Sequence, residues 1–283
     1  MDIVRTRAAV RAAGGALPGP IGFVPTMGAL HDGHRSLIDA SRARDRSVLV
    51  SLFVNPLQFG PTEDLARYPR DESADLAILE QAGVDLVFVP TMEAIYPPGS
   101  GTTVHVAVGE LLEGAARPGH FVGVATVVTI LLSLVLPDRA YFGQKDGQQT
   151  VVIRRLVEDL ALPVEIIVCP TVREPDGLAM SSRNRYLSAA ERAAAPVLHR
   201  ALQAALSAYR DGETDGEQLR ERIREVVAAE PLVRLEYASV ADPLTLEELP
   251  DTKEGALASV AARLPSARLI DCLVLEGGAS RNG

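Results

Sequence analysis

The sequence predicts an α/β protein, a doubly wound parallel sheet followed by a smaller α+β C-terminal domain. Two observations indicate this. Short apolar runs alternate with helical patterns up to about Thr171, and beyond it two helical patterns precede three strand-like segments. The chain has 283 residues, of which 47% are hydrophobic and 23% charged, which is typical of a globular protein with a real core. We therefore expect two domains, 1–171 and 172–283.

The predicted strands of the first domain are apolar at several consecutive positions, as in strands buried on both faces of a parallel sheet. They cover 21–25, 47–54, 84–89, 139–142 and 164–168. Helices are predicted between them at 33–46, 73–82, 123–136 and 147–160. Ligands of such sheets bind beyond the carboxyl ends of the strands, so the loops after the strands are where we expect the chemistry.

The C-terminal domain begins with a capping-box pattern, Ser188 to Glu191, which opens one predicted helix running to about Arg210. A second helix is predicted at 214–230, and strands at 234–240, 257–263 and 267–275. The Gly-, Ser- and Asn-containing tail 277–283 is the one segment expected to be disordered.

Composition excludes several classes of protein. Lys and Arg total 28 against 37 Asp and Glu, a net charge of −9, which argues against a protein that grips long nucleic acid. The two cysteines, Cys169 and Cys272, lie far apart in apolar runs and predict buried reduced thiols without a disulfide or zinc pair. The N-terminus lacks a secretory pattern, and the longest apolar run, 122–136, is shorter than the roughly 18–20 residues that cross a bilayer. We expect a cytoplasmic protein with no membrane or nucleic-acid partner.

Two histidines, His31 and His34, stand where the first predicted strand runs into the first predicted helix. The N-terminus of a helix favours phosphate, and imidazole adds a proton donor that titrates near neutrality. The alternatives are a metal pair or two structural histidines. A metal site would need further ligands, and the chain has five histidines and no CxxC.

A polar cluster, Gln144-Lys145-Asp146 with Gln149, follows the predicted strand 139–142. The lysine supplies a point charge for phosphates, the aspartate can orient a ribose or a metal, and Gln149 can donate and accept hydrogen bonds. The alternative is a solvated capping segment.

Two hydroxyls, Ser181 and Ser182, precede Arg183, and together they can clamp a triphosphate as negative charge builds on the departing pyrophosphate. The alternative is a basic interdomain linker.

Amides and a basic loop complete the candidates. Asn55 and Gln58 follow the second predicted strand, and their amides can hydrogen-bond a hydroxyl or a carboxylate of a ligand. The alternative is a simple turn, which the Asn-Pro and Gly-Pro pairs also indicate. Arg117 and His120 lie in a Gly-containing loop whose position is compatible with a lid. There is no GxGxxG after the first strand and no GxxxxGK[ST], which argues against a dinucleotide-dependent oxidoreductase and a P-loop kinase.

The order and spacing of five motifs resemble those of the pantothenate synthetase family, within the HxGH nucleotidyltransferases. The motifs are PTMGALHDGH at 25–34, FVNPLQFG at 53–60, RPGHF at 117–121, FGQKDGQQ at 142–149 and DGLAMSSRN at 176–184. The resemblance extends from about Ile3 to Leu275. It implies a Rossmann-like nucleotide-binding domain with a smaller C-terminal domain closing over the site, and a homodimer.

The resemblance also implies an ATP-dependent ligase that works in two steps. The carboxylate of (R)-pantoate attacks the α-phosphorus of ATP in the presence of Mg²⁺, giving pantoyl adenylate and pyrophosphate. The amine of β-alanine then displaces AMP to form pantothenate. The chemistry is sound, because a carboxylate becomes a good acyl donor only as a mixed anhydride, which must be shielded from water.

Site residues follow from the same resemblance, with His34 as the proton donor. The implied catalytic residues are His31, His34, Lys145, Ser181, Ser182 and Arg183. The implied ATP-binding residues are Met27, Gly28, Ala29, Leu30, His31, Asp32, Gly33, His34, Gly143, Gln144, Lys145, Asp146, Val172, Met180, Ser181, Ser182 and Arg183. The implied substrate-binding residues are Gln58 for pantoate and β-alanine, Gln149 for pantoate, and Asn55 and Arg117, with Asp75 as the candidate metal ligand.

Four positions depart from the family pattern. Ile130 stands where many members have lysine, Val122 replaces the arginine of HFRG, Gln144 replaces glutamate, and Cys272 replaces asparagine. The competing hypotheses are another HxGH adenylyltransferase, acting on phosphopantetheine or a nicotinate nucleotide, and a non-catalytic nucleotide-binding protein.

Overall fold

The computed structural model describes residues 1–61 and 63–276, so the predicted disordered tail 277–283 lies outside the described residues. The chain folds into two compact units. The first unit comprises Met1–Glu110, Arg117–Gly143 and Val152–Pro170. The second unit comprises Leu111–Ala116, Gln144–Val151 and the chain from Thr171 onward.

The first unit contains a six-stranded sheet in the order β1-β4-β3-β2-β5-β6, and all of its strand pairs are parallel. The strands are β1 (Asp2–Val4), β2 (Ile21–Thr26), β3 (Ser47–Leu52), β4 (Leu86–Phe88), β5 (Arg139–Gly143) and β6 (Glu165–Cys169). The predicted doubly wound sheet is confirmed. The strand order reverses between β2 and β5, so the ligand crevice of such a fold lies at the carboxyl end of β2.

The helices in chain order are α1 (Arg7–Ala16), α2 (Asp32–Arg44), α3 (Glu72–Gln81), α4 (Met92–Ile95), α5 (Glu113–Ala116), α6 (His120–Val135), α7 (Gly147–Asp159), α8 (Ala189–Ala194), α9 (Val197–Arg210) and α10 (Gly216–Ala228). Helix α6 starts three residues before its predicted start, because Gly119 adopts a φ of +84° at the N-cap and turns the chain into the helix at His120. The apolar periodicity predicts neither β1 nor α1, since β1 is only three residues long and α1 is a mixture of Ala, Gly and Arg.

The second unit contains a three-stranded antiparallel sheet, β7 (Arg234–Ala241), β8 (Ala256–Arg263) and β9 (Arg268–Leu275), in that order. The three predicted strands are confirmed. The single helix predicted from Ser188 to Arg210 is wrong, because α8 ends at Ala194 and α9 begins at Val197. Pro196 lacks an N–H group and therefore cannot continue the hydrogen-bonding pattern of α8 into α9.

Each unit has its own apolar core. The first is built around α6 and the sheet, with Phe23, Leu49 and Phe88 fully buried, and the second packs α9 against β8 and β9 and α10 against β7. Both cysteines are buried and unbridged, as predicted. Across residues 1–61 and 63–276, no helix has the length and apolar character that crossing a bilayer requires.

Candidate functional site

The loop between β2 and α2 carries the histidine motif and has an unusual backbone. Gly28 and Ala29 both have positive φ values, +78° and +52°. The Thr26 hydroxyl accepts a hydrogen bond from Gly28 N at 3.2 Å, which tightens the turn as the chain leaves the strand. Ala29 has a Cβ, so its left-handed conformation is costly and must be held by other contacts.

Asp75 on α3 supplies those contacts. Asp75 is 4% exposed, and its two carboxylate oxygens accept hydrogen bonds from Ala29 N at 2.9 Å and from Leu30 N at 2.8 Å. A Cβ added to Gly28 would lie 2.8 Å from Asp75 Oδ2, so the close approach of the carboxylate requires glycine there. Asp75 therefore anchors the loop that leads into α2.

His31 and His34 form the N-terminal cap of α2. His31 Nδ1 accepts from Gly33 N at 3.1 Å, and His34 Nδ1 accepts from His31 N at 3.3 Å, in a capping box. The ring centroids are 4.1 Å apart. Since each Nδ1 is an acceptor, each neutral ring carries its proton on Nε2. The backbone thus selects the tautomer in which both imidazoles present an Nε2–H donor at a helix N-terminus, a position that favours anions.

A metal ion fits this loop poorly. Among the described residues, no group of three or more His, Cys, Asp or Glu side chains is arranged to hold a metal. The sequence-based assignment of Asp75 to a metal is not supported by its geometry, because each carboxylate oxygen already accepts from a backbone amide, and a cation there would lie beside that amide hydrogen. The arrangement fits a loop anchor and does not fit a direct Mg²⁺ ligand.

Asn55 follows β3 and builds the turn that carries Gln58. It is 1% exposed, and its amide donates to Gln58 Oε1 at 3.1 Å and to Gly123 O at 3.0 Å. Its oxygen accepts from Leu57 N at 3.3 Å and from the Tyr96 hydroxyl at 2.9 Å. Both amide hydrogens and the oxygen are therefore engaged, and Asn55 positions Gln58 instead of reading a ligand itself.

The side chain of Gln58 reaches back to the histidine loop. Its Nε2 lies 3.1 Å from the sulfur of Met27, the first residue after β2. A thioether is a weak acceptor, so a ligand oxygen can replace it with a gain in hydrogen-bond strength. The structure thus brings Gln58 to the start of the loop that presents His31 and His34.

Arg117 is held by an acidic residue that the sequence motifs do not single out. Its Nε and Nη2 donate to the two carboxylate oxygens of Glu63 at 2.7 and 2.6 Å, a bidentate pair. Burial by itself would raise the pKa of Glu63, but the hydrogen bonds and charge of Arg117 hold it below its usual range. The prediction that Arg117 binds substrate is therefore revised, because its guanidinium is committed to a carboxylate.

In the second unit, Gln144–Asp146 form a single 3₁₀ turn directly after β5. Lys145 Nζ lies 3.1 Å from Asp146 Oδ1. The Cys272 thiol donates to Gln144 O at 2.8 Å, and a Cβ on Gly147 would lie 2.7 Å from that sulfur. Burial raises the pKa of Cys272 to about 12, so the thiol stays protonated and acts as a compact donor under the turn.

Two adjacent glutamines on α7 have opposite roles. Gln148 is buried, accepts from Glu113 N at 2.8 Å and donates to Leu111 O at 2.7 Å. Gln149 is half-buried, and its amide makes no hydrogen bond with any residue that the structure describes. Only Gln149 therefore keeps its hydrogen-bonding capacity for a ligand.

The segment 172–180 is a short hairpin. Met180 N donates to Val172 O at 3.0 Å and Glu174 N to Leu178 O at 2.8 Å, while Gly177, with a φ of +91°, makes the turn. Glu174 is paired with Arg192 of α8, which fixes the hairpin.

The serine–arginine motif follows this hairpin and opens a 3₁₀ helix, Ser182–Tyr186. Ser181 Oγ accepts from Arg183 N at 3.3 Å, and Ser182 is buried. A hydrogen-bonded hairpin running into a capped helix is not a flexible linker, so the interdomain-linker interpretation is not supported.

The predicted site residues divide between the two units. The first unit holds 27–34, 55, 58, 75, 117 and 143, and the second holds 144–146, 149, 172 and 180–183. Glu63 belongs to none of the sequence motifs and was missed, whereas Gln148 lies inside the motif 142–149 but was given no role of its own.

Comparisons with known proteins agree with one another. The profile of the family described as pantoate-beta-alanine ligase matches residues 2–274. A pantothenate synthetase of Chloroflexus aurantiacus is 59% identical over 279 residues, covering 98% of this chain and 99% of that protein. A crystal structure of pantothenate synthetase from Thermus thermophilus has a TM-score of 0.92 and 51% identity, covering 96% of this chain and 99% of that one. A pantoate-beta-alanine ligase from Francisella tularensis, complexed with beta-gamma ATP and beta-alanine, has a TM-score of 0.80 and 34% identity, covering 99% and 100% of the two chains.

Proposed function

The chain belongs to the pantoate–β-alanine ligase family, and we propose from this that it condenses (R)-pantoate with β-alanine at the expense of ATP. In the first step a pantoate carboxylate oxygen bonds to the α-phosphorus and the bond to pyrophosphate breaks. In the second step the β-alanine amine bonds to the acyl carbon, AMP leaves with the acyl C–O electron pair, and the amine loses a proton. The products are pantothenate, AMP and pyrophosphate.

The observation that best supports adenylation is the pair of capped imidazoles. Both Nδ1 atoms accept from backbone amides, so each neutral ring carries its hydrogen on Nε2 at the N-terminus of α2. In our proposal His34 donates to the phosphate oxygens as pyrophosphate leaves, and His31 adds a second donor. Electrostatic stabilisation of this kind is a large term in phosphoryl and nucleotidyl transfer.

For pantoate we propose Gln58 and Gln149 as the residues that bind its hydroxyl and carboxylate groups, with Gln58 also near β-alanine. The Gln58 side-chain amide donates to a weak sulfur acceptor, and the Gln149 side chain makes no hydrogen bond with the described residues. Asn55 holds the Gln58 side chain through a hydrogen bond to its oxygen, and Arg117 acts on pantoate only through its hydrogen bond to the Gln58 carbonyl.

For ATP we propose the loop 27–34 and the carboxyl end of β5 at Gly143. The same resemblance also assigns to ATP the residues Gln144, Lys145, Asp146, Val172, Met180, Ser181, Ser182 and Arg183. Lys145 and Arg183 carry the positive charges that a triphosphate needs, and the two serines add hydroxyl donors. The family resemblance supports these assignments, and the folded turn and hairpin are compatible with them.

Three further elements of the proposal come from the family. Mg²⁺ accompanies ATP as the counter-ion of its phosphates, since Mg²⁺ binds substrate phosphates with few protein ligands. The protein acts in the cytoplasm. It is a homodimer, which light scattering of the purified protein tests directly.

The decisive experiment measures pyrophosphate release from ATP with pantoate alone, followed by AMP and pantothenate formation on addition of β-alanine. We expect pyrophosphate release to require pantoate and amide formation to require β-alanine. Release that ignores pantoate and responds instead to phosphopantetheine or a nicotinate nucleotide contradicts the proposal.

A matched pair of histidine variants tests the imidazole mechanism. His34→Ala is expected to slow adenylation by about 10²-fold or more without loss of the fold. His105→Ala is the control, because His105 is exposed and pairs only with the exposed Glu110 among the contacts described. Equal activity of the two variants contradicts the assigned role of His34.

A further inference from the structure

We propose that His120, as a neutral imidazole linked to Arg117 and Glu63, is a positioning residue that orients Gln58 and thereby sets the affinity for pantoate. This inference rests on the proposed role of Gln58 and adds three residues to it. None of the three touches pantoate in this arrangement. They act on the main chain of the residue that does.

The target of the cluster is the main-chain carbonyl of Gln58, at the end of the 3₁₀ turn Pro56–Gln58. It accepts from His120 Nδ1 at 2.8 Å and from Arg117 Nη2 at 3.2 Å. Two donors from the segment around the start of α6 therefore fix the peptide plane after Gln58. Because the side chain leaves the same residue, they also restrict the position from which the Gln58 amide reaches its partners.

The protonation state of His120 follows from its partners. A carbonyl oxygen only accepts, so Nδ1 carries a hydrogen, and a guanidinium only donates, so Nε2 accepts from Arg117 Nη1 at 3.1 Å. A neutral imidazole therefore makes both hydrogen bonds, one as a donor through Nδ1 and one as an acceptor through Nε2. Protonation of Nε2 would remove that acceptor and place a second positive charge against Arg117.

Glu63 keeps Arg117 in place for this arrangement. The bidentate pair holds the guanidinium plane, while the third nitrogen remains directed at His120. Among the contacts that the structure describes, two charged groups face the imidazole, the arginine next to Nε2 and the carboxylate behind it. At neutral pH their charges cancel, and the cluster needs no charge on His120.

The turn beneath Gln58 has an independent anchor. Asn55 donates to Gly123 O at 3.0 Å, and a Cβ on Gly123 would lie 2.3 Å from Leu57 O, so the turn packs directly on the backbone of α6. Removing the His120 side chain leaves this packing intact. The expected consequence is a change in the orientation of Gln58, and the fold is expected to remain.

The test compares His120→Leu, His120→Asn and the control His105→Leu in steady-state kinetics and in pantoate binding by calorimetry. For His120→Leu we expect the KM and Kd for pantoate to rise about 3–10-fold, the equivalent of one lost hydrogen bond. We expect kcat and the KM for ATP to stay within about twofold. His120→Asn keeps a side-chain N–H donor for the carbonyl and is expected to restore most of the affinity at about pH 8.

The pH profile gives a readout that a purely structural role would not move. As the pH is lowered, the wild-type KM for pantoate is expected to rise when His120 gains a proton, whereas His120→Asn cannot be protonated and gives a flatter profile. Identical pH profiles, or equal losses in kcat and in the KM for ATP, overturn the proposal. Wild-type protein that shows no pantoate-dependent pyrophosphate release instead overturns the proposed function, so the two failures are distinguishable. If His120→Leu does not fold, the His120→Asn profile decides alone.

Discussion

Replacing Asp75 by asparagine is the sharpest test of how the histidine loop is held. The change keeps the shape of the side chain, but one of the two carboxylate oxygens becomes an NH₂ group facing a backbone N–H at 2.8–2.9 Å. One charge-assisted hydrogen bond is lost, and a buried amide is left facing a donor. Such a loss costs about 1.5–3 kcal/mol, which corresponds to about 10–150-fold if all of it falls on the loop.

The assay measures kcat/KM for pantoate-dependent pyrophosphate release together with the thermal unfolding temperature. We expect Asp75→Asn to lower kcat/KM by about 10–100-fold, because the amides of Ala29 and Leu30 no longer both have an acceptor that holds the positive φ of Ala29. Asp39→Asn is the matched control, since Asp39 is exposed on α2 and pairs with Arg35 only in a surface i,i+4 contact.

A titration with Mg²⁺ separates a loop anchor from a metal ligand. If Asp75 anchors the loop, raising the Mg²⁺ concentration leaves the defect of Asp75→Asn unchanged. Recovery of activity at high Mg²⁺ would refute this reasoning and restore the metal assignment. An Asp75→Asn protein with unaltered kcat/KM and unaltered unfolding temperature would refute it as well.

Two further predictions concern binding and pH. Gln149→Ala is expected to raise the KM for pantoate about 10-fold with an unchanged unfolding temperature. Gln148→Ala leaves Glu113 N and Leu111 O without their side-chain partner and should lower the free energy of unfolding by about 2–4 kcal/mol. The reverse pattern contradicts the assignment of Gln149 to the ligand and of Gln148 to the fold. Hydrogen bonds from Ser188 and Ser266 lower the pKa of Glu191 to about 2. The ionised Glu191 therefore stabilises the folded state fully above about pH 5, and this contribution disappears as the pH falls towards 2. Acid unfolding followed by circular dichroism should therefore be less steep for Glu191→Gln than for the wild type, with the exposed Glu254→Gln unchanged.

The parts of the fold that sequence predicts best are those with short-range causes. The parallel strands are recognisable because burial on both faces requires a continuous apolar run. The capping box at Ser188 is recognisable because its two partners are three residues apart. The break at Pro196 lies within the same range, and it is missed only because the apolar periodicity continues on both sides of it.

The same distinction holds within the site. That His31 and His34 meet at the start of a helix is predictable, since strand, loop and helix follow one another in the sequence. That Asp75 holds the loop is not, because 46 positions separate it from Ala29. Glu63 and Arg117 are 54 positions apart in the sequence, so no local sequence pattern predicts their pairing.

The amino-acid sequence alone determined the fold class, the family and the segments that carry chemistry, because these follow from periodicity and from motifs a few residues long. The tertiary structure decided which polar side chains in those segments are available to a ligand. Asn55, Asp75, Arg117 and Gln148 commit their hydrogen bonds to the protein, whereas Gln149 does not. A side chain can bind a ligand only with the hydrogen-bonding capacity that its folded neighbours leave, and those neighbours are brought together by folding from distant parts of the chain.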